Sequence, residues 1–113
     1  MSRRDLTGAV DFGVLDHTTG GDDAVAEEIL ELFVEQAALW SRLLDEPEAR
    51  RDACHTIRGT AAGLGAQALA DACAIAERDP AQIHIDRVRD ELDRALADVA
   101  AWRHELMLRS LRA

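Results

Sequence analysis

Lysine is absent from this chain, and all 13 cationic side chains are arginine. Any anion held through a side-chain charge must therefore meet a guanidinium, a planar fork of donors rather than a point charge. Proline is scarce: Pro47 and Pro80 are the only two, and both fall between periodic segments, so helices can run uninterrupted. Aromatics make up 4% of the residues. No apolar run approaches the ~20 residues that a membrane-spanning helix needs. Met1-Ser2-Arg3-Arg4-Asp5 lacks the apolar stretch of a signal peptide, so a cytoplasmic protein is expected. Cysteine is limited to Cys54 and Cys73. Without a CxxC spacing they give weak support to a disulfide or metal pair, and reduced thiols packed as small hydrophobes are expected. Positive charge is also short overall. A net charge of −9 disfavours a nucleic-acid binder, because the phosphate backbone would be repelled.

What is present points to helix. The 113 residues suffice for one small domain with a single core. A composition 48% hydrophobic and 31% charged argues against disorder, and alanine and leucine dominate it. Residues 1–21 carry Leu6, Val10, Phe12, Val14 and Leu15 among glycines and polar residues. They read as a lead-in, with room for a short helix, that lays apolar side chains against the main body. Gly20-Gly21-Asp22-Asp23 then reads as a turn and a capped helix start. From there to Leu44 runs a first long helix on the stripe Ile29, Phe33, Ala37, Trp40 and Leu44, widened by Val25, Leu32 and Leu43.

Asp45-Glu46-Pro47-Glu48 ends that helix and opens a second, predicted from Pro47 to Gly63, with proline in its first turn. Its buried line is Cys54, Ile57, Ala61 and Leu64. A break or tight turn is expected at Gly63-Leu64-Gly65. Ala66, Leu69, Cys73 and Ala76 mark a third helix that stops before Asp79-Pro80. In the fourth, Ile85, Val88, Leu92, Ala95, Val99, Trp102 and Leu106 alternate spacings of three and four, a heptad seam. From Ile85 to Leu108 it would be about 36 Å long. The expected fold is all-α: an up-down antiparallel four-helix bundle over residues 22–113, preceded by the lead-in over residues 1–21.

The chemistry concentrates in His55-Thr56-Ile57-Arg58-Gly59-Thr60-Ala61-Ala62-Gly63-Leu64-Gly65-Ala66. Residues three or four apart are neighbours on a helix surface, so Arg51, His55, Arg58, Gly59 and Ala62 should share one strip. If Cys54 is buried, His55 lies about 100° round the helix, at or beyond the border of the core. A neutral imidazole nitrogen is a competent nucleophile near neutral pH. Arg58, with Arg51 behind it, is placed to steady charge on transferring phosphoryl oxygens. Gly59 leaves a gap through which a partner can approach the ring, and a glycine inside a helix, at ~1 kcal/mol against alanine, asks for such a reason. The bland alternatives are a solvated histidine, as His17, His84 and His104 are read, with surface ion pairs for the arginines and packing roles for the glycines.

The run resembles the histidine-containing phosphotransfer (HPt) domains of bacterial phosphorelays. In that family the phosphorylated histidine is typically followed by a lysine at +3, glycines at +4 and +10, and then a small residue. His55, Arg58, Gly59, Gly65 and Ala66 stand in those places. Leu69, Cys73 and Glu77 match the leucine, cysteine and polar positions of the family's next helix, and the likeness spans roughly residues 10–78. One departure is arginine for the usual lysine at Arg58; Glu77 occupies a place where some relatives carry glutamine near the histidine. A carboxylate at Glu77 would either orient the imidazole or repel a phosphate.

The resemblance implies a phosphocarrier, not an autonomous kinase, and the chain has no Gly-rich nucleotide loop. His55 would accept a phosphoryl group from a receiver-domain aspartate and pass it to another receiver. The partners implied are response-regulator receiver domains and a hybrid or sensor histidine kinase, with Mg²⁺ supplied by the receiver and no metal or cofactor bound by this chain. Arg51, Ala62 and their neighbours would form the docking surface of a monomer. One rival is a four-helix adaptor that binds a signalling partner with His55 dispensable. Another is a metal-binding bundle using His55, His84, Cys54 or Cys73, although no Glu-x-x-His pair exists to build a di-iron site.

Overall fold

The computed structural model describes residues 8–112. Within them the chain forms α1 (Phe12–Thr19), α2 (Asp23–Leu43), α3 (Arg50–Leu64), α4 (Gln67–Arg78) and α5 (Gln82–Arg112). No strand forms among the described residues. The lead-in contributes α1, and α2–α5 make the four-helix bundle. Leu6 lies outside the described residues.

Helix ends follow local chemistry. Asp11 caps α1 by accepting from the Gly13 N–H at 3.0 Å, and Asp22 caps α2 by accepting from Ala24 and Val25 at 3.0 and 3.2 Å. The start of α3 differs from expectation: Pro47 sits in a turn, and the helix begins at Arg50. In that turn the carbonyls of Arg42, Leu43 and Glu46 accept the N–H groups of Asp45, Glu46, Ala49 and Arg50. Backbone carbonyls thus serve donors that an acidic side chain would otherwise cap, and no side chain caps α3. At the other end the expected break narrows to one residue. Gly63 stays helical, and Gly65 alone turns left-handed, with φ +91.

Two sets of cross-links fix the direction of the helices. Arg89, early in α5, pairs with Asp45 just after α2 and donates to the Ser41 carbonyl at 3.1 Å. Arg103 and Arg109, late in α5, reach Glu27 and Asp23 at the start of α2. So α2 and α5 are antiparallel. Arg50, opening α3, reaches the Pro80 carbonyl beyond α4 at 3.4 Å, which makes α3 and α4 antiparallel too. At ~1.5 Å per residue the 31 residues of α5 span about 46 Å. This accounts for the 47 Å long axis of the molecule.

Every member of the α5 seam is buried, as are the α3 and α4 lines and Phe33, Ala37, Trp40 and Leu44 on the α2 side. Two assignments on α2 fail. Val25 and Leu32 are exposed, and Ala26 and Leu30 take their place in the core. The apolar arc of α2 is wide enough to admit either edge, and packing against α5 selects the one on the Phe33 side. In the lead-in, Val10, Phe12 and Leu15 are buried while Val14 is exposed. Phe12 stacks on Trp102 with ring centroids 4.7 Å apart, which ties α1 to α5.

Candidate functional site

The α3–α4 pairing builds the site. Helix α3 turns Ala53, Cys54, Ile57, Ala61 and Leu64 inward against Leu69, Ala70, Ala72, Cys73 and Ala76 of α4. His55 follows Cys54 by one residue and so emerges on the flank, its side chain 71% exposed. That exposure decides the central structural question raised by the sequence: the ring stands in water, not in the core.

Glu77, in the last turn of α4, meets this flank with its side chain only 19% exposed. Its carboxylate lies 3.4 Å from His55 Nδ1 through each oxygen, a long, shared contact. The Nε of Arg58 lies 2.9 Å from Glu77 Oε1. One carboxylate therefore touches both the imidazole and the cation that follows it by three residues. An ionised carboxylate only accepts, so the contact favours the tautomer with hydrogen on Nδ1 and the lone pair on Nε2.

His55, Arg58, Gly59 and Ala62 from α3 line a shallow groove of about 460 Å³ with Gln67, Ala70, Asp71 and Ala74 from α4. A Cβ added at Gly59 would meet nothing within 4 Å, so packing within the chain does not require a glycine there. Arg51 is exposed and does not line the groove; it lies a turn behind His55 rather than beside the groove. The α4 wall escaped the sequence reading. Its signal was present as Gln67, Ala70/Asp71 and Ala74 at helical spacing, with Gln67 Nε2 donating to Asp71 Oδ1 at 2.8 Å across one turn.

Beneath the groove, Cys54 and Cys73 are free, fully buried thiols. A hydrogen bond to Cys54, together with burial, pushes the Cys73 thiol well above its usual range. Among the described residues, no three His, Cys, Asp or Glu side chains converge as a metal-ligand set. His84 instead faces Asp79 at 3.3 Å, and His17 and His104 are exposed. No described helix is long and apolar enough to cross a membrane.

Comparison with known proteins agrees with this geometry. No match was found among curated proteins. The crystal structure of the histidine phosphotransferase ShpA from Caulobacter crescentus superposes with a TM-score of 0.81 at 46% sequence identity, over 92% of this chain and 99% of that one. The Hpt domain family profile matches residues 24–102, from the first turn of α2 to Trp102 of α5. With the profile covering well over half its length and the helices arranged as in ShpA, this chain belongs to the Hpt domain family.

Proposed function

We propose that this protein is a phosphorelay carrier that takes a phosphoryl group onto His55 from a receiver-domain aspartate and hands it to a second receiver. The observation that carries this reading is the exposed His55 ring, turned by its Nδ1 toward Glu77 and bordered by Arg58 and Gly59. Nε2 attacks the phosphorus of the aspartyl phosphate. The N–P bond forms as the acyl P–O bond breaks, and the leaving electron pair returns to the aspartate as carboxylate. Nδ1 keeps its proton against Glu77, so no base is needed at the attacking nitrogen.

Each neighbour has a part. Arg58 stabilises the charge on the three equatorial oxygens. Gly59 and Ala62 keep the α3 wall low enough for the partner's active site to reach the ring, and Arg51 lends positive potential at the edge of the docking face. The Mg²⁺ belongs to the receiver, and this chain binds no cofactor for the step. Receivers and a hybrid or sensor histidine kinase are its partners, met as a monomer in the cytoplasm, where two buried thiols remain unpaired. Such encounters are brief and bury a modest area.

The test is incubation of the purified protein with receiver domains charged by acetyl phosphate. Acid-labile, alkali-stable label should appear on the wild type and be absent from His55→Gln. Label that survives the substitution would move the acceptor elsewhere. A wild type that binds receivers but takes no label would make the chain an adaptor.

A further inference from the structure

The groove beside His55 carries opposite charges on its two walls. Arg58 stands on the α3 wall, with its Nε 2.9 Å from Glu77 Oε1. On the α4 wall stands Asp71, exposed, with one carboxylate oxygen accepting from Gln67 Nε2 at 2.8 Å. A carboxylate has room for about four hydrogen bonds, and the Gln67 amide supplies one neutral donor. Apart from His55 and these three side chains, glycine and alanine line the groove, and neither offers a side-chain donor. Asp71 precedes Glu77 on α4 by six residues, about 9 Å of helix rise. Glu77 touches the imidazole, whereas Asp71 stands further up the groove, where the surface of a docked partner would lie rather than the reacting atoms.

We infer that Asp71 is a specificity-determining residue, which admits receivers that bring an arginine or lysine side chain to its carboxylate and discriminates against those that do not. This rests on the carrier reading and adds a rule of partner choice to it. A receiver seated over His55 covers the groove and strips water from Asp71. A carboxylate desolvated without a counter-charge is costly, whereas a charge-assisted donor replaces what the water supplied. Within the groove, Gln67 is uncharged, and both Arg58 and His55 lie against Glu77. The cation has to come with the partner. A like charge or an apolar side chain at the same place would leave the carboxylate uncompensated, so discrimination comes as much from rejection as from attraction. The two walls then divide the task. The α3 wall meets the anionic phosphoryl group, which every charged receiver carries, while the α4 wall meets a side chain that is free to differ from one receiver to the next.

The experiment measures the rate of phosphoryl acceptance by His55 against the concentration of a charged receiver that labels the wild type. Asp71→Lys should raise the receiver concentration for half-maximal rate by about tenfold, and Asp71→Asn by about threefold, with the maximal rate within about twofold of wild type. Both variants should melt with the wild type, since Asp71 is exposed. Asp93→Lys makes the same change in net charge as Asp71→Lys, at an exposed site on α5 outside the groove, and should leave the half-maximal concentration where it was. Reversing the receiver's surface arginines and lysines to glutamate one at a time should yield one receiver that restores Asp71→Lys and fails with the wild type. An unchanged half-maximal concentration in Asp71→Lys, an equal rise in Asp93→Lys, a loss confined to the maximal rate, or the failure of every reversal would overturn the assignment with His55 still labelled. An unlabelled wild type would instead overturn the carrier reading, and the rule of partner choice with it.

Discussion

Two of the hollows on the described surface differ in what lines them. Between the start of α2 and the end of α5 lies one of about 740 Å³, lined by Asp23, Glu27, Arg103, His104, Met107 and Arg109 among others. Its arginines are committed. Arg103 places Nε and Nη2 on the same Glu27 oxygen at 2.8 and 2.7 Å, and the Glu27 carboxylate holds that guanidinium above its ordinary range. Arg109 sits over the Trp102 ring at 5.0 Å, with Asp23 at 3.6 Å. In the smaller hollow Arg58 is 43% exposed, with its Nε 2.9 Å from Glu77 Oε1, beside an exposed imidazole. On the carrier reading, the same residue types serve as cement in one place and as chemistry in the other. What separates them is the water-facing imidazole, not the size of the cavity.

The largest effect should come from breaking the cemented end. Trp102→Ala removes a side chain that is 2% exposed and stacked on Phe12, which should cost about 3–5 kcal/mol of stability in urea unfolding. Below its lowered melting temperature the variant should still accept phosphoryl groups on His55. A carrier that kept its stability would show that the α5 end contributes little to the fold. One that kept its fold but lost transfer would tie the two regions together.

This division was legible in the sequence to different depths. The α5 seam was fully readable, because seven apolar residues at heptad spacing admit one buried face. The Asp22 cap was readable for the same local reason. Glu91, Asp98 and Glu105 were not: each is buried, yet a charged residue beside a seam reads as solvated. Asp98 is recruited by the Val10 N–H at 3.2 Å across 88 residues, a long-range demand that no local pattern carries. On α2 the periodicity gave the helix but not which edge of the apolar arc would be covered, so Val25 and Leu32 were misplaced. At the site, His55, Arg58, Gly59 and Ala62 were readable from spacing on one helix. The α4 wall was not, since it depends on how α3 and α4 meet, and neither was the contact that joins Arg58 to Glu77.

Two glycines near the site sharpen the contrast further. A Cβ at Gly65 would stand 2.3 Å from the Asp11 carbonyl oxygen, on a backbone with φ +91. Asp11 also donates its N–H to the Gly65 carbonyl at 2.8 Å, so the clash falls where α1 seats on the end of α3. Gly65→Ala should cost about 2–3 kcal/mol, read by chemical unfolding. Gly59 has open space in place of a Cβ. Gly59→Ala should therefore raise stability by ~0.5–1 kcal/mol through helix propensity. Gly59→Leu should leave the fold intact and slow transfer by about tenfold, through crowding of the partner. Wild-type transfer in Gly59→Leu would remove close approach from the mechanism.

The smallest expected effect discriminates best, because one substitution can be made in both hollows. Arg103→Lys replaces a guanidinium whose two donors share one carboxylate oxygen at the partly exposed α2–α5 edge. A lysine there can still reach Glu27, so the change should be under about 1 kcal/mol, shrinking further at high salt. Phosphoryl acceptance by His55 should not move at all, since Arg103 lines the other hollow. Arg58→Lys is equally conservative and equally mild for stability, yet on the carrier reading it should slow acceptance, because the fork of donors beside His55 is placed to meet the phosphoryl oxygens. If both substitutions changed acceptance alike, the rate would be following the overall field of an acidic protein, and the distinction between the two hollows would fail. If only Arg58→Lys changed it, the difference between the two hollows would lie in the guanidinium that borders the imidazole.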